Sequence, residues 1–239
     1  MIFKASCAAM AGTAHRQTGT PCQDSVRIHH ENGILCAALA DGAGSRPASH
    51  RGSDQATRLV CRLLCTDFDE LYAKAPMAAA QDILEQCLAG LNSLPEPMYD
   101  LASTLLFFAA DDRGRFLSGH LGDGVQILVN QNAAQVFSPP ENGEDPAVTW
   151  FLTSPDALEH FRITAGVLPD HSALLMMSDG MAAGLYRYDT REPARACATI
   201  ARWLREEPED VVCEALQENM QQLFSHKSAD DLSLAVICW

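Results

Sequence analysis

The chain has 239 residues, with 17 Lys and Arg against 31 Asp and Glu, a formal net charge of −14. That sign repels phosphate backbones and argues against sequence-independent binding to DNA or RNA, whereas converging carboxylates concentrate divalent cations. With 47% hydrophobic and 20% charged residues, the composition is that of a globular protein with a sizeable core. The longest apolar run, Ile34 to Ala40, is far shorter than the roughly 20 residues that span a bilayer, so no membrane segment is expected. The N-terminus has one basic residue in Met-Ile-Phe-Lys and no leucine-rich stretch, a poor signal peptide. Nine cysteines without a Cys-x-x-Cys pair read as reduced and structural, which favours the cytoplasm. The eight histidines form no His-x-x-x-His pair, so a zinc site is not expected.

Short apolar runs predict strands at 2–9, 26–30, 34–40, 102–110, 115–121, 125–130, 148–153, 173–178 and 232–238. Between them, Ala56, Leu59, Val60, Leu63 and Leu64 define a helical face, with Cys61 and Cys65 packing in the same pattern. Ile83, Leu84, Cys87, Leu88 and Leu91 predict a second helix. Cys197, Ile200, Ala201 and Leu204 predict a third, with Pro193 in its first turn. Val212, Ala215, Leu216, Met220 and Leu223 predict a fourth. The segment from Pro139 to Pro146 is an acidic loop of turn formers, read as a solvated connection rather than a flap facing substrate.

No repeat, low-complexity tract or long linker divides the chain, so one domain over 1–239 is expected. Strands do not alternate with helices, which argues against a doubly wound parallel sheet. The order predicts an α+β fold, with antiparallel sheets and helix pairs packed outside them.

Five aspartates fall at strand ends. Asp24 precedes the strand at 26–30, and Asp41-Gly42 follows the run 34–40. Asp123 sits in a Gly-Asp-Gly turn, Asp179-Gly180 ends the strand at 173–178, and Asp230-Asp231 precedes the terminal strand. In an antiparallel sheet the end of one strand lies beside the start of its neighbour, so these carboxylates can meet at one edge. Without a counter-charge they would repel, and hard oxygen donors suit Mg²⁺ or Mn²⁺. The glycine after Asp41 lets backbone approach closely, so the Gly42 carbonyl is a further candidate ligand.

These blocks, in their order, resemble the metal-dependent protein phosphatases of the protein phosphatase 2C type. Gly19-Thr20-Pro21-Cys22-Gln23-Asp24-Ser25 looks like the family's opening motif. Asp41-Gly42-Ala43-Gly44-Ser45 is similar to its Asp-Gly-x-Gly-Gly block, and Ala102-Ser103-Thr104 to the small-Thr-Thr segment. Gly122-Asp123-Gly124 resembles the Gly-Asp-Ser-Arg block with Gly124 and Val125 as departures. Met177-Ser178-Asp179-Gly180 matches Ser-Asp-Gly, and Asp230-Asp231-Leu232-Ser233 resembles Asp-Asn-x-Thr. Thr13 to Gly19 and Thr149 to Thr153 look most like a compact bacterial subgroup.

The resemblance implies an α-β-β-α sandwich of two antiparallel sheets and a single catalytic domain. It implies Mn²⁺ or Mg²⁺ as cofactors, at two sites and a third: Asp41 bridging two ions, Asp179 and Asp230 on one, the Gly42 carbonyl on the other. Asp24 would hold metal-bound water or contact the second ion, and Asp123 with Asp179 would serve the third site. The reaction implied is attack of water, shared by two ions, on phosphoserine or phosphothreonine in a phosphoprotein made by an opposing Ser/Thr kinase, with roles in signalling. Arg16 is the local candidate for the arginine that binds phosphate, at a longer spacing from Asp24 than is usual, with Arg46 as the alternative. Gln23 stands where some members carry glutamate, Ala43 where some carry a proton-donating histidine, and Asp231 where asparagine is usual. Two other readings fit the same residues: an inactive regulatory module that binds a partner, and a hydrolase of small phosphorylated metabolites.

Overall fold

The computed structural model describes residues 2–131, 133–143 and 149–239. In chain order the first elements are β1 (Lys4–Met10), α1 (Thr13–Thr18), β2 (Ser25–Glu31) and β3 (Ile34–Ala40). Next come α2 (Ser49–Ala73), α3 (Pro76–Leu91), β4 (Leu105–Asp111), β5 (Arg115–Leu121), β6 (Val125–Asn130) and β7 (Ala133–Ser138). Then follow α4 (Ala157–His160), β8 (Arg162–Val167), β9 (Ser172–Met177), α5 (Asp179–Leu185), β10 (Tyr186–Arg187) and β11 (Glu192–Pro193). The chain closes with α6 (Ala196–Glu206), α7 (Glu209–Gln222) and β12 (Leu232–Cys238).

Two five-stranded antiparallel sheets, ordered β2-β3-β4-β5-β8 and β1-β12-β9-β6-β7, form the centre of an α+β sandwich. Three apolar layers account for the stacking. Leu35, Ala37 and Leu39 of β3 and Leu106, Phe108 and Ala110 of β4 meet Leu174, Met176, Ala235 and Ile237 between the sheets. The alternate residues, Cys36, Ala38, Leu105 and Phe107, face Val60, Leu64, Ile83 and Leu91 of α2 and α3. On the other side, Leu175, Met177, Leu234 and Val236 pack against Ile200, Leu204, Val212 and Leu216 of α6 and α7. Burial on both faces explains why these antiparallel strands read as continuous apolar runs. The four predicted helices correspond to α2, α3, α6 and α7, and the nine cysteines are all free.

Some expectations at the margins need correcting. Residues 149–153 form no strand; Thr149 makes only an isolated bridge with Asn142, and Leu152 is drawn into the α2–α3 core instead. Val148 and residues 144–146 of the acidic loop lie outside the described residues. The edge strands β7 and β8 are additions; their half-exposed sequences lack the sustained apolar pattern that marks a central strand. Pro193 lies in β11, ahead of α6. Leu223 falls just beyond α7 and is exposed. Among the described residues no helix is long and apolar enough to cross a membrane.

Candidate metal centre

Strand register gathers the aspartates. Ser25 pairs with Ala40, which brings Asp24 at the start of β2 beside Asp41 at the end of β3. Leu39 pairs with Leu106, so Thr104 arrives at the same edge; its Oγ1 accepts the Asp41 amide at 2.9 Å and its own amide donates to the Asp41 carbonyl at 2.8 Å. In the other sheet Met177 pairs with both Leu234 and Val125, bringing Asp179 beside the Asp230 and Asp123 segments. A cavity of about 120 Å³ results, lined by Asp41, Gly42, Ala43, Gly44, Thr104, Asp123, Thr149, Phe151, Asp179 and Asp230. A larger cavity, about 530 Å³, lies at the opposite ends of β2 to β5 and carries none of these groups.

Close backbone approaches hold the edge together. A Cβ on Gly180 would stand 2.1 Å from the Asp231 carbonyl, so only glycine lets the start of α5 pack on the Asp230–Asp231 segment. Gly122, at φ +110°, turns the chain so that Asp123 reaches the cavity. His120 pins that turn: it is buried, with Nε2 3.1 Å from the Gly122 carbonyl and Nδ1 2.8 Å from Ser138 Oγ. Asp231, 2% exposed, points away from the cavity; it accepts the Gly12 amide at 2.6 Å, the Gln23 amide at 2.5 Å and His15 Nδ1 at 2.9 Å.

The electrostatics show a site short of positive charge. Burial, joined by the charges of Asp231 and Asp179, pushes the Asp24 carboxyl up to about 7. The Ser178 and Ser233 hydroxyls are near enough to favour its charge, yet neither Asp24 oxygen has a hydrogen-bond partner of ordinary geometry, although both are shielded from solvent. Asp41 is raised well above the carboxylate range by burial and by Asp24, Asp179 and Asp123. Asp123 rises to about 6 through burial and Asp179, and Asp230 is raised by the same two causes.

The side-chain donors that line this cavity are all oxygens, and both Asp24 carboxylate oxygens lack hydrogen-bond partners. That chemistry fits hard divalent cations such as Mg²⁺ or Mn²⁺. Among the described residues no group of three His, Cys, Asp or Glu side chains stands close enough to hold an ion as placed.

Asp41, Gly42, Asp123, Asp179 and Asp230 therefore share one cavity, with Asp24 buried behind it. Arg16 is elsewhere, exposed on α1 with Nη1 3.4 Å from the Met10 sulfur. Arg46 also stays outside the lining, its guanidinium 3.3 Å above the Tyr99 ring. Three residues not expected from sequence join the site. Thr149 and Phe151 line it, and Tyr188 stands near enough that burial, Asp179 and Asp123 push its phenol up to about 12.

The protein phosphatase 2C family model matches residues 11–225. No curated protein matches the chain. Among solved structures, the Mycobacterium tuberculosis serine/threonine phosphatase PstP/Ppp is 17% identical with a TM-score of 0.66, over 100% of this chain and 99% of that one. The S. agalactiae serine/threonine phosphatase is 15% identical with a TM-score of 0.63, over 99% of each chain. RsbX in complex with magnesium is 15% identical with a TM-score of 0.60, over 99% of this chain and 94% of that one. At these identities the likeness to each is one of fold.

Proposed function

The chain belongs to the protein phosphatase 2C family, and on that footing we propose that residues 1–239 form one catalytic domain hydrolysing phosphoserine or phosphothreonine in proteins with two Mn²⁺ or Mg²⁺ ions. The observation that carries this reading is the gathering of Asp24, Asp41, Asp123, Asp179 and Asp230 from separate strand ends around one small cavity. Asp41 would serve both ions, Asp179 and Asp230 one of them, and the Gly42 carbonyl the other. Asp24 would face the second ion or its water, and Asp123 with Asp179 a third site. Such ions, when bound, lower the pKa of the water they hold from 15.7 toward about 7 and offset charge on phosphoryl oxygens.

The protein's own contribution is placement. Thr104 holds the Asp41 backbone through two hydrogen bonds, which sets the residue's place at the sheet edge before substrate arrives. Asp231 secures the Gln23 amide and with it the neighbouring Asp24. Ala43 offers no acid, so in this reading the departing serine or threonine oxygen takes its proton from water at the cavity mouth, where Asp230 is exposed. Arg16, the arginine that precedes the Asp24 motif, remains the candidate for binding the phosphoryl group, and turnover of Arg16→Ala measures its share.

A cavity of about 120 Å³ is small beside the roughly 300–1,000 Å³ that encloses a small-molecule ligand. That favours a phosphorylated side chain presented on a protein over a free metabolite, and implies a Ser/Thr kinase as the opposing enzyme. Phosphate release from phosphoserine and phosphothreonine peptides, compared with sugar and nucleotide phosphates at equal concentration, tests this. Preference for the peptides supports it; hydrolysis of the small phosphates alone contradicts it.

A further inference from the structure

We propose that the groove between β2 and α2, lined by Arg27, His29, Arg58 and Arg62, binds an acidic segment of the protein substrate, a few residues from its phosphorylated side chain. This rests on the phosphatase reading above for the identity of the partner, and on the following observations for the groove itself.

On a chain of net charge −14, three arginines converge on one cleft of about 270 Å³. A single carboxylate serves two of them: Asp54 accepts from Arg27 Nη2 through Oδ1 and from Arg58 Nη2 through Oδ2, both at 2.8 Å. Arg62 is exposed, and among the described residues its guanidinium makes no hydrogen bond or ion pair. Arg58 and Arg62 stand four apart on α2, an i,i+4 repulsion that folding alone does not favour. Arg27 Nε is shielded from solvent and lacks a hydrogen-bond partner. The remaining polar side chains there are His29, 3.0 Å from Glu31, and Glu31 itself at the far end of β2. The cleft thus keeps uncompensated positive charge.

Its position selects the occupant. β2 is the edge strand of its sheet and begins immediately after Asp24. At about 3.3 Å per extended residue, Arg27 lies roughly 10 Å and His29 roughly 16 Å along the strand from Asp24. A substrate whose phosphoryl group occupies the carboxylate cavity would lay residues three to five positions away along this edge, where extended segments are readily accommodated. Aspartate, glutamate or further phosphorylated side chains there meet the arginines. The acidic surface elsewhere disfavours a long polyanion such as RNA.

The test uses fluorescence anisotropy of labelled phosphothreonine peptides on the full, metal-stripped chain, so that it does not depend on turnover. One peptide carries four glutamates three to six positions from the phosphothreonine on each side, the other glutamines. Wild-type protein is expected to bind the acidic peptide about tenfold more tightly, with the difference collapsing at high salt. The Arg58→Glu, Arg62→Glu double variant, altered only at exposed positions, is expected to lose that preference. Its hydrolysis of p-nitrophenyl phosphate is expected to match wild type. Equal affinities in the wild type, or a preference that survives in the double variant, overturn the proposal. Arginine-dependent binding of an RNA oligonucleotide more tightly than the acidic peptide overturns the assignment to protein. Arginine-dependent binding of the acidic peptide by a wild type that hydrolyses nothing supports the groove and contradicts the phosphatase reading instead.

Discussion

The Asp231 carboxylate is hydrogen-bonded to the His15 imidazole, Oδ1 to Nδ1 at 2.9 Å, although the two residues are 216 positions apart. The same carboxylate accepts the amides of Gly12 and Gln23. It thereby ties the loop before β2, which carries Asp24, to the segment before β12, which carries Asp230. An aspartate beside a proposed metal ligand thus serves as an anchor, and its charge is spent on three donors rather than on an ion.

Removing that anchor should be costly. Asp231→Ala leaves two amides and an imidazole without their acceptor, for an expected loss of roughly 2–4 kcal/mol. In a chain of this size that lowers the unfolding midpoint by about 5–15 °C. Asp231→Asn keeps one acceptor oxygen and should lose about half as much. Thermal denaturation of both variants checks this; an unchanged midpoint for Asp231→Ala would contradict the anchoring role.

Asp41→Asn and Asp179→Asn should separate stability from activity. Burial and neighbouring carboxylates already push Asp41 toward its neutral form, so a neutral isostere relieves repulsion in metal-free protein. Both variants are expected to unfold in chelator at or above the wild-type midpoint, to lose the stabilisation that Mn²⁺ confers, and to show no turnover. Near wild-type turnover in saturating Mn²⁺ would sink the site assignment.

The pH dependence follows from two raised carboxyls. Asp24 shifts from 3.8 to about 7, first through burial, and Asp123 from 3.8 to about 6. A pKa raised on folding means the folded state binds protons more tightly, so this stabilisation is full below about pH 3.8 and is lost as pH rises through 6 and 7. Protons and cations also compete for the same oxygens. Mn²⁺ affinity should therefore climb across pH 6–7, as calorimetric titration at several pH values would show. A pH-independent affinity over that range would contradict the shared site.

His120 has the opposite sign. Burial first, then Arg162, lowers its ring from 6.5 to about 3. It is neutral in the fold, so its contribution is present above pH 6.5 and is lost as pH falls toward 3. Denaturation curves of wild type and His120→Asn should converge on acidification, with the variant about 1–3 kcal/mol less stable at neutral pH. A stability gap independent of pH would show that the ring does not titrate with unfolding.

Much of this arrangement is legible in the chain because of strand geometry. Continuous apolar runs such as 34–40 mark strands buried on both faces, and an aspartate at the end of one must lie beside the start of its antiparallel neighbour. Asp24 and Asp41, joined through the Ser25–Ala40 pair, illustrate this. What stays hidden depends on residues brought in from far along the chain. The three donors to Asp231 come from positions 12, 15 and 23, and nothing local marks them as its partners. Thr149 and Phe151 read as part of a strand, yet they reach the cavity because Leu152 is buried in the helix-covered core. β7 and β8 escape notice because edge strands bury too little to show a pattern. Tyr188 comes near the cavity from the turn that follows β10, a two-residue strand too short to be read from sequence.

The most direct test is hydrolysis of a phosphothreonine peptide by metal-stripped protein, with and without added Mn²⁺. The expected result is no phosphate release in chelator and full turnover once Mn²⁺ is restored, with Asp41→Asn silent in both. Folded wild-type protein that stays inactive across Mn²⁺ and Mg²⁺ would contradict the enzymatic reading and leave a phosphatase fold retained for binding a partner.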